Sequence, residues 1–171
     1  ISLGVDPGDE DLMKKSPRDP KESFFGGGAG KRAILGGVLI GLLTLLAFAI
    51  GLGERGVSLL DSKGASEEVL IYARTMAFVV LATSQLFYSF TLRSETKSIV
   101  QVGLLKNKYL VGSVLTAILL QALVITLPLT AKAFKVTALP LNDWFIVFGL
   151  SLLPLLINEL IKLFARRRRS S

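Results

Sequence analysis

Four long apolar segments alternate with polar segments along this chain of 171 residues. The apolar segments cover about residues 33–52, 72–92, 109–131 and 144–165, and the first of them carries no charged residue. An α-helix rises 1.5 Å per residue, so about 20 residues cross the ~30 Å hydrocarbon core of a bilayer. The pattern therefore predicts an all-α integral membrane bundle of four transmembrane helices.

The polar segments predict how these helices are connected. Residues 53–71 join the first two spans and residues 132–143 join the last two, and both links are short. Short links favour antiparallel neighbours, so we expect two helical hairpins packed side by side. The predicted organisation is a polar loop (residues 1–32), a four-helix domain (33–165) and a short basic tail (166–171).

The composition narrows the possible chemistry. Hydrophobic residues make up 51% of the chain, which contains no Cys and no His. This excludes disulfides, thiol nucleophiles, zinc sites of the Cys/His type and His-based acid–base catalysis. The first 30 residues have no apolar core, so we expect no signal peptide. The chain begins at Ile1 within a polar segment, and we therefore expect it to be part of a longer protein.

The basic residues predict an orientation in the membrane. Of the 20 Lys and Arg residues, 15 lie in the N-terminal segment, the second loop and the tail that begins at Lys162, and five lie in or beside the other two loops. Cytoplasmic loops are enriched in Lys and Arg, so both termini are predicted to be cytoplasmic. The net charge of +7 is explained by this orientation and does not require nucleic-acid binding.

The second span carries a group of polar residues that could serve a function. Gln85 lies near its middle, next to Ser84, and Ser89 shares the helix face of Gln85. A Gln amide in hydrocarbon needs a partner. It could bond another helix, worth about 1 kcal/mol, or offer its carbonyl oxygen to a hard cation. The pattern alone favours the interhelical bond, and Gln85 with its two serine neighbours remains a candidate cation-site region.

Two further features of the spans suggest contacts. Gly37 and Gly41 have the spacing of a close helix-packing face. Glu159 and Lys162 can pair on one face near the end of the fourth span, beside Asn158. Ionisable residues within a span are functional candidates. A Lys near a helix end can also snorkel towards the membrane surface, so the functional and structural interpretations both stay open.

Several short motifs occur in the order in which P-type cation pumps carry them. The stretch Asp9-Glu10-Asp11-Leu-Met-Lys-Lys-Ser-Pro-Arg, followed by Pro-Lys-Glu, resembles the loop after the sixth membrane helix of these pumps. Further motifs resemble the eighth to tenth helices and lie at residues 75–78, 85–87, 93–95, 98–99, 107–110, 143–144 and 158–162. The whole chain is thus similar to the C-terminal transmembrane region of P-type cation-transporting ATPases, and most similar to bacterial calcium pumps of the sarco/endoplasmic-reticulum type.

The resemblance implies that the four spans are helices seven to ten of a calcium-exporting pump in the cell membrane. The partners would be helices one to six and the cytoplasmic domains of the same polypeptide, together with lipid and without nucleic acid. The parent enzyme would use ATP and Mg²⁺. This chain lacks the phosphorylated Asp-Lys-Thr-Gly motif and the nucleotide domain, so we expect it to be inactive alone and not to bind ATP.

The resemblance also implies roles for particular residues. Asp9, Glu10 and Asp11 would form a coupling loop, although the pattern alone indicates only a solvated loop. Gln85 matches a position that is an acidic ligand in two-site calcium pumps, so an amide there predicts one transported Ca²⁺ per ATP. Two alternatives remain: a free-standing four-helix scaffold or regulatory protein, and a pump for sodium, protons or magnesium.

Overall fold

The computed structural model describes residues 29–94 and 98–170, without the side chains of residues 29, 104 and 165–170. In this part of the chain every regular element is helical, and no strand occurs. The helices are α1 (Ala29–Gly53), α2 (Glu67–Thr91), α3 (Ile99–Val102), α4 (Lys108–Thr126), α5 (Pro128–Phe134) and α6 (Leu141–Ser170). Of these, α1, α2, α4 and α6 are long and apolar enough to cross a membrane. The prediction of an all-α chain with four spans is confirmed.

The helix ends follow from local chemistry. The Asn107 side chain accepts a hydrogen bond from the Leu110 amide at 2.9 Å, so α4 begins with a satisfied cap. It ends at Thr126, several residues before the predicted end at residue 131. The cause is Pro128, which has no N–H to continue the helix and instead begins the short α5.

The helix that contains the fourth span extends beyond both predicted ends, although its stretch of membrane-spanning character is Leu141–Phe164. Helix α6 has 30 residues and continues through the arginine run to Ser170. Pro154 lies inside it and is buried. The basic residues 166–169 continue this helix, and their place in a cytoplasmic tail stays a prediction.

Helix α2 lies at the centre of the bundle. Its most apolar stretch is 44% buried, compared with 17–22% for the other three spans. It packs along α1 on one side and α6 on the other, and α4 also contacts it. The predicted second hairpin is therefore an open one, because α4 and α6 have little direct contact. The buried residues of both, such as Gln121 and Val147, lie in the interior around α2.

Helices α2 and α6 run parallel in a constant register. Side-chain contacts join Tyr72 to Asp143, Ser151 to the Val80 carbonyl, and Lys162 to the Thr91 carbonyl, and each pair is 71 residues apart. At 1.5 Å per residue these contacts span roughly 28 Å of helix. The two helices are thus matched from end to end. We call the end with Tyr72 and Asp143 the distal end, and the end with Thr91 and Lys162 the proximal end.

Close approach between α1 and α2 depends on glycine, but not on the pair that the sequence suggested. Gly37 and Gly41 are exposed and have no neighbouring atom where a Cβ would lie, so their predicted packing face is not used within the described chain. Gly51 makes the close approach to the α2 backbone, because a Cβ there would lie 2.8 Å from the Cα of Ala73, whereas a Cβ at Gly36 would meet the Tyr88 side chain at 2.7 Å. The face of α1 that packs on α2 is rotated away from the G-x-x-x-G pair.

We predict that Gly51→Ala lowers the free energy of unfolding by about 1–3 kcal/mol, because the added methyl would force two backbones apart. The matched control is Gly41→Ala, which meets no atom and should be neutral or stabilising by up to ~1 kcal/mol through helix propensity. Thermal or denaturant unfolding of the purified protein in detergent measures both. Equal effects of the two substitutions would contradict the close approach at Gly51.

Candidate functional site

Of the three polar residues predicted around a cation site, Ser84 lies on a different side of α2 from Gln85 and Ser89. Gln85 is exposed on α2 and has no hydrogen bond to the described residues. Ser84 is fully buried, and its hydroxyl has no hydrogen-bond partner in the described part of the chain. Ser89 is half-buried and donates to the Leu86 carbonyl at 2.6 Å. Successive helix residues are about 100° apart, so Ser84 cannot share the face of Gln85.

Gln85 therefore makes no hydrogen bond to the helices described here, and the interhelical bond favoured by the sequence pattern stays a prediction. It belongs to a stripe at helical spacing that residues 29–94 and 98–170 leave uncovered, which we call the outer face of α2. The members of the outer face are Arg74, Phe78, Leu81 and Gln85.

A different glutamine bonds the helices together. Gln121 on α4 is 9% exposed and donates to the Val79 carbonyl of α2 at 3.3 Å. Its own side-chain oxygen accepts from the Thr83 hydroxyl, also at 3.3 Å. The sequence analysis missed Gln121, although the requirement that an amide in hydrocarbon finds a partner applies to it equally.

The predicted pair on the fourth span is present. Lys162 Nζ lies 3.0 Å from Glu159 Oε1, and the two side chains are 8% and 15% exposed. Lys162 also donates to the Thr91 carbonyl at 3.0 Å, and Glu159 accepts from the Ile99 amide at 3.0 Å. Asn158 takes no part in these contacts. The pair thus connects the proximal ends of α2, α3 and α6, and its functional role stays a prediction.

A second polar cluster, at the distal end, was not predicted. The Tyr72 hydroxyl lies within hydrogen-bond distance of Asp143 on α6 and 2.7 Å from Glu54, which follows α1. The Arg55 guanidinium sits 4.1 Å from the centre of the Tyr72 ring. Tyr72 and Asp143 are each 4% exposed. In the sequence, an acidic residue stands next to each of two span ends, Glu54 and Asp143. The sequence does not indicate that these two residues meet at Tyr72.

Other predicted residues cannot be placed. Asp9, Glu10 and Asp11 lie outside the described residues. Within the described ranges, no group of three or more His, Cys, Asp or Glu residues is arranged to hold a metal ion. The outer face of α2 is the candidate site, because it carries Gln85 on a helix that the distal and proximal polar clusters fix to α6.

Comparison with known proteins shows the family of this chain. The family described as "Cation transporting ATPase, C-terminus" matches residues 1–164. The chain is 50% identical over 167 residues to "Calcium-transporting ATPase 1" of Bacillus cereus, covering 95% of this chain and 19% of that protein. It is 38% identical to "Calcium-transporting ATPase" of Bacillus subtilis, covering 90% of this chain and 16% of that protein. It is 29% identical to the human "Calcium-transporting ATPase type 2C member 1", covering 98% of this chain and 17% of that protein.

The helices and the polar clusters define the class of protein, a helical membrane domain with four helices able to span a bilayer. The chain belongs to the family of cation-transporting ATPase C-terminal regions. It spans between a sixth and a fifth of the length of the relatives named above.

We predict that Gln121→Leu lowers the free energy of unfolding by about 1 kcal/mol, because it removes both bonds between α4 and α2. The matched control is Gln85→Leu, since Gln85 bonds none of the described helices and should leave stability nearly unchanged. Unfolding of the purified protein in detergent compares the two. A larger loss for Gln85→Leu would contradict these assignments.

Proposed function

We propose that this chain is the C-terminal membrane domain of an ATP-driven calcium pump, which exports Ca²⁺ from the cytoplasm across the cell membrane. The observation that carries the proposal is the similarity of nearly the whole chain to proteins named as calcium-transporting ATPases. ATP and Mg²⁺ would act in the remainder of the pump polypeptide, which supplies helices one to six and the cytoplasmic domains. This chain would support the ion-carrying helices.

The outer face of α2 is the surface that fits this role. Its residues are not covered by α1, α4 or α6, although α2 is otherwise the most enclosed span. Gln85 is the polar residue that ends this stripe towards the proximal end, after the apolar Phe78 and Leu81. A neutral carbonyl oxygen there is available to a neighbouring helix or to a cation on its path.

The test is the ATPase activity of the full-length protein across a panel of cations. Calcium at micromolar concentration should stimulate activity, while sodium, magnesium in excess of ATP, and protons should not replace it. Stimulation by one of those ions and not by calcium would reassign the transported cation. No cation-dependent hydrolysis at all would favour a scaffold or regulatory protein.

We also propose that both termini of this chain are cytoplasmic, following the distribution of Lys and Arg. A cysteine at Ser62 should then react with a membrane-impermeant maleimide in intact cells, whereas one at Ser170 should react only after permeabilisation. The chain contains no natural Cys, so background labelling from it is absent. Labelling of both positions from the same side would contradict the topology.

The amide at position 85 predicts a single calcium ion per cycle. A second divalent ion in low dielectric needs carboxylate charge to offset repulsion, and Gln85 supplies a carbonyl oxygen without that charge. Calcium binding to the full-length pump at saturation should give one ion per phosphorylation site, and Gln85→Ala should reduce transport only mildly. A count of two ions would contradict this prediction.

The acidic residues of the N-terminal segment are proposed to act in coupling by pairing with basic groups of the cytoplasmic domains. Exposed pairs contribute only ~0–1 kcal/mol each, so Asp9, Glu10 and Asp11 should be changed to Ala together. Turnover of the full-length pump should fall. The control is the triple change at the exposed acids Asp61, Glu67 and Glu68. Normal turnover and calcium affinity in the first variant would show that the cluster is only a solvated loop.

A further inference from the structure

Glu159 and Lys162 do more than neutralise each other. Each uses a second bond to hold a backbone group from another part of the chain. Lys162 Nζ donates to the carbonyl of Thr91, the last residue of α2, and Glu159 Oε2 accepts from the amide of Ile99, the first residue of α3, each at 3.0 Å. One face of α6 therefore holds both sides of the turn between α2 and α3.

The order of the two charges matches the two backbone groups. A carbonyl at the end of a helix lacks a donor within its own helix, and an amide at the start of a helix lacks an acceptor. Thr91 and Ile99 are 2% and 6% exposed, so water is a poor substitute at this position. Lys162 supplies the donor and Glu159 the acceptor. A pair that only snorkels to the membrane surface requires no such order.

A second contact, made by Arg93, also holds the connection between α2 and α3. Arg93 donates from Nη1 to the Gly103 carbonyl at 2.8 Å, which closes the chain just after α2 against the segment that follows α3. Gly103 adopts φ +83°, a conformation that favours glycine. The proximal end of α2 is therefore fixed to α6 through the pair and to its own following segment through Arg93.

We propose that Glu159 and Lys162 are positioning residues for calcium transport, which fix the proximal end of α2 and thereby the placement of its outer face. This inference rests on the proposed function. Gln85 lies six residues before Thr91, which is roughly 9 Å along the helix. A shift or rotation of the α2 end would therefore be transmitted to Gln85 and to the surface that meets the ion-carrying helices, while the distant nucleotide site would be unaffected.

The sharpest test exchanges the two charges, as E159K/K162E, in the full-length pump. The exchange keeps both charges and their spacing, but it places an acceptor beside the Thr91 carbonyl and a donor beside the Ile99 amide. We expect the calcium concentration for half-maximal ATPase activity to rise roughly fivefold or more, the equivalent of ~1 kcal/mol. The ATP concentration for half-maximal activity should not change. Hydrogen exchange at residues 92–94 and 99–102 should become faster.

Two milder variants rank the contributions. K162R retains a charged donor for the Thr91 carbonyl and should remain near wild type. E159Q retains an oxygen acceptor but loses its charge, and should fall between wild type and the exchanged variant. The control K63E/E67K exchanges two exposed charges at the distal end and should leave both half-maximal concentrations unchanged.

The possible outcomes separate the claims. If the exchanged variant keeps the wild-type calcium dependence, the proposal is overturned. This holds even if hydrogen exchange becomes faster, because the pair would then have only a structural role. An equal rise for calcium and ATP would indicate general damage and would also overturn it. If the exchanged variant does not fold, a wild-type calcium dependence in E159Q overturns it. A wild-type pump without calcium stimulation would refute the proposed function instead, and hydrogen exchange would still decide whether the pair holds the turn.

Discussion

Polar groups inside an apolar bundle must be paired, and in this chain that requirement fixes the register between α2 and α6. Apolar helix faces have little preference for one register, because lipid and neighbouring side chains are equally apolar. The distal contact of Tyr72 with Asp143 and the proximal contact of Lys162 with Thr91 have the same separation of 71 residues. Slippage of α6 by a single residue would break both contacts at once, and each buried group left unpaired costs about 1–3 kcal/mol.

The other helices are arranged around this matched pair. Helix α1 is held against α2 by the close approach at Gly51 and by Glu54 at the distal cluster. Helix α4 is attached through the two bonds of Gln121 and through the packing of Leu110 and Val114 with Phe90 and Ile99. Apolar residues form the helix contacts, and the few polar residues fix the register of each helix against its neighbour.

This arrangement suits the supporting role in a pump that is proposed above. The outer face of α2 is displayed on a helix that is fixed at both ends, so whatever packs on Gln85 and Leu81 meets a surface of defined position. The calcium-transporting activity proposed above requires the remainder of the polypeptide. Under that proposal, the contribution of this chain is to keep one side of the ion-carrying helices in place.

Hydropathy and the motifs predicted the elements well and their contacts less well. Four apolar runs predicted four spans, because membrane thickness and helical rise leave little freedom. The spacing of Glu159 and Lys162 predicted their pairing. The stop at Thr126 could have been anticipated from Pro128. By contrast, whether Gln85 or Gln121 bonds a neighbouring helix depends on how each helix is rotated, which composition does not encode.

The long-range contacts illustrate the same limit. Tyr72 meets Asp143 only because α2 and α6 are parallel and in register, a property of the assembled bundle and not of either segment. The G-x-x-x-G pair is a real small-residue stripe, but it lies on the side of α1 that this chain leaves open. A short motif indicates the kind of contact that a helix surface can make. It does not identify the helix that will pack against that surface.

Disulfide formation in a chain that has no natural cysteine tests the register most directly. Two cysteines form a disulfide only when their Cα atoms lie within about 7 Å. Cysteines at Val80 and Ser151, 71 residues apart, should cross-link under mild oxidation in the membrane. Cysteines at Val80 and Leu155, one turn further along the same face of α6, should not. Efficient cross-linking of the second pair and not of the first would contradict the register on which the account rests.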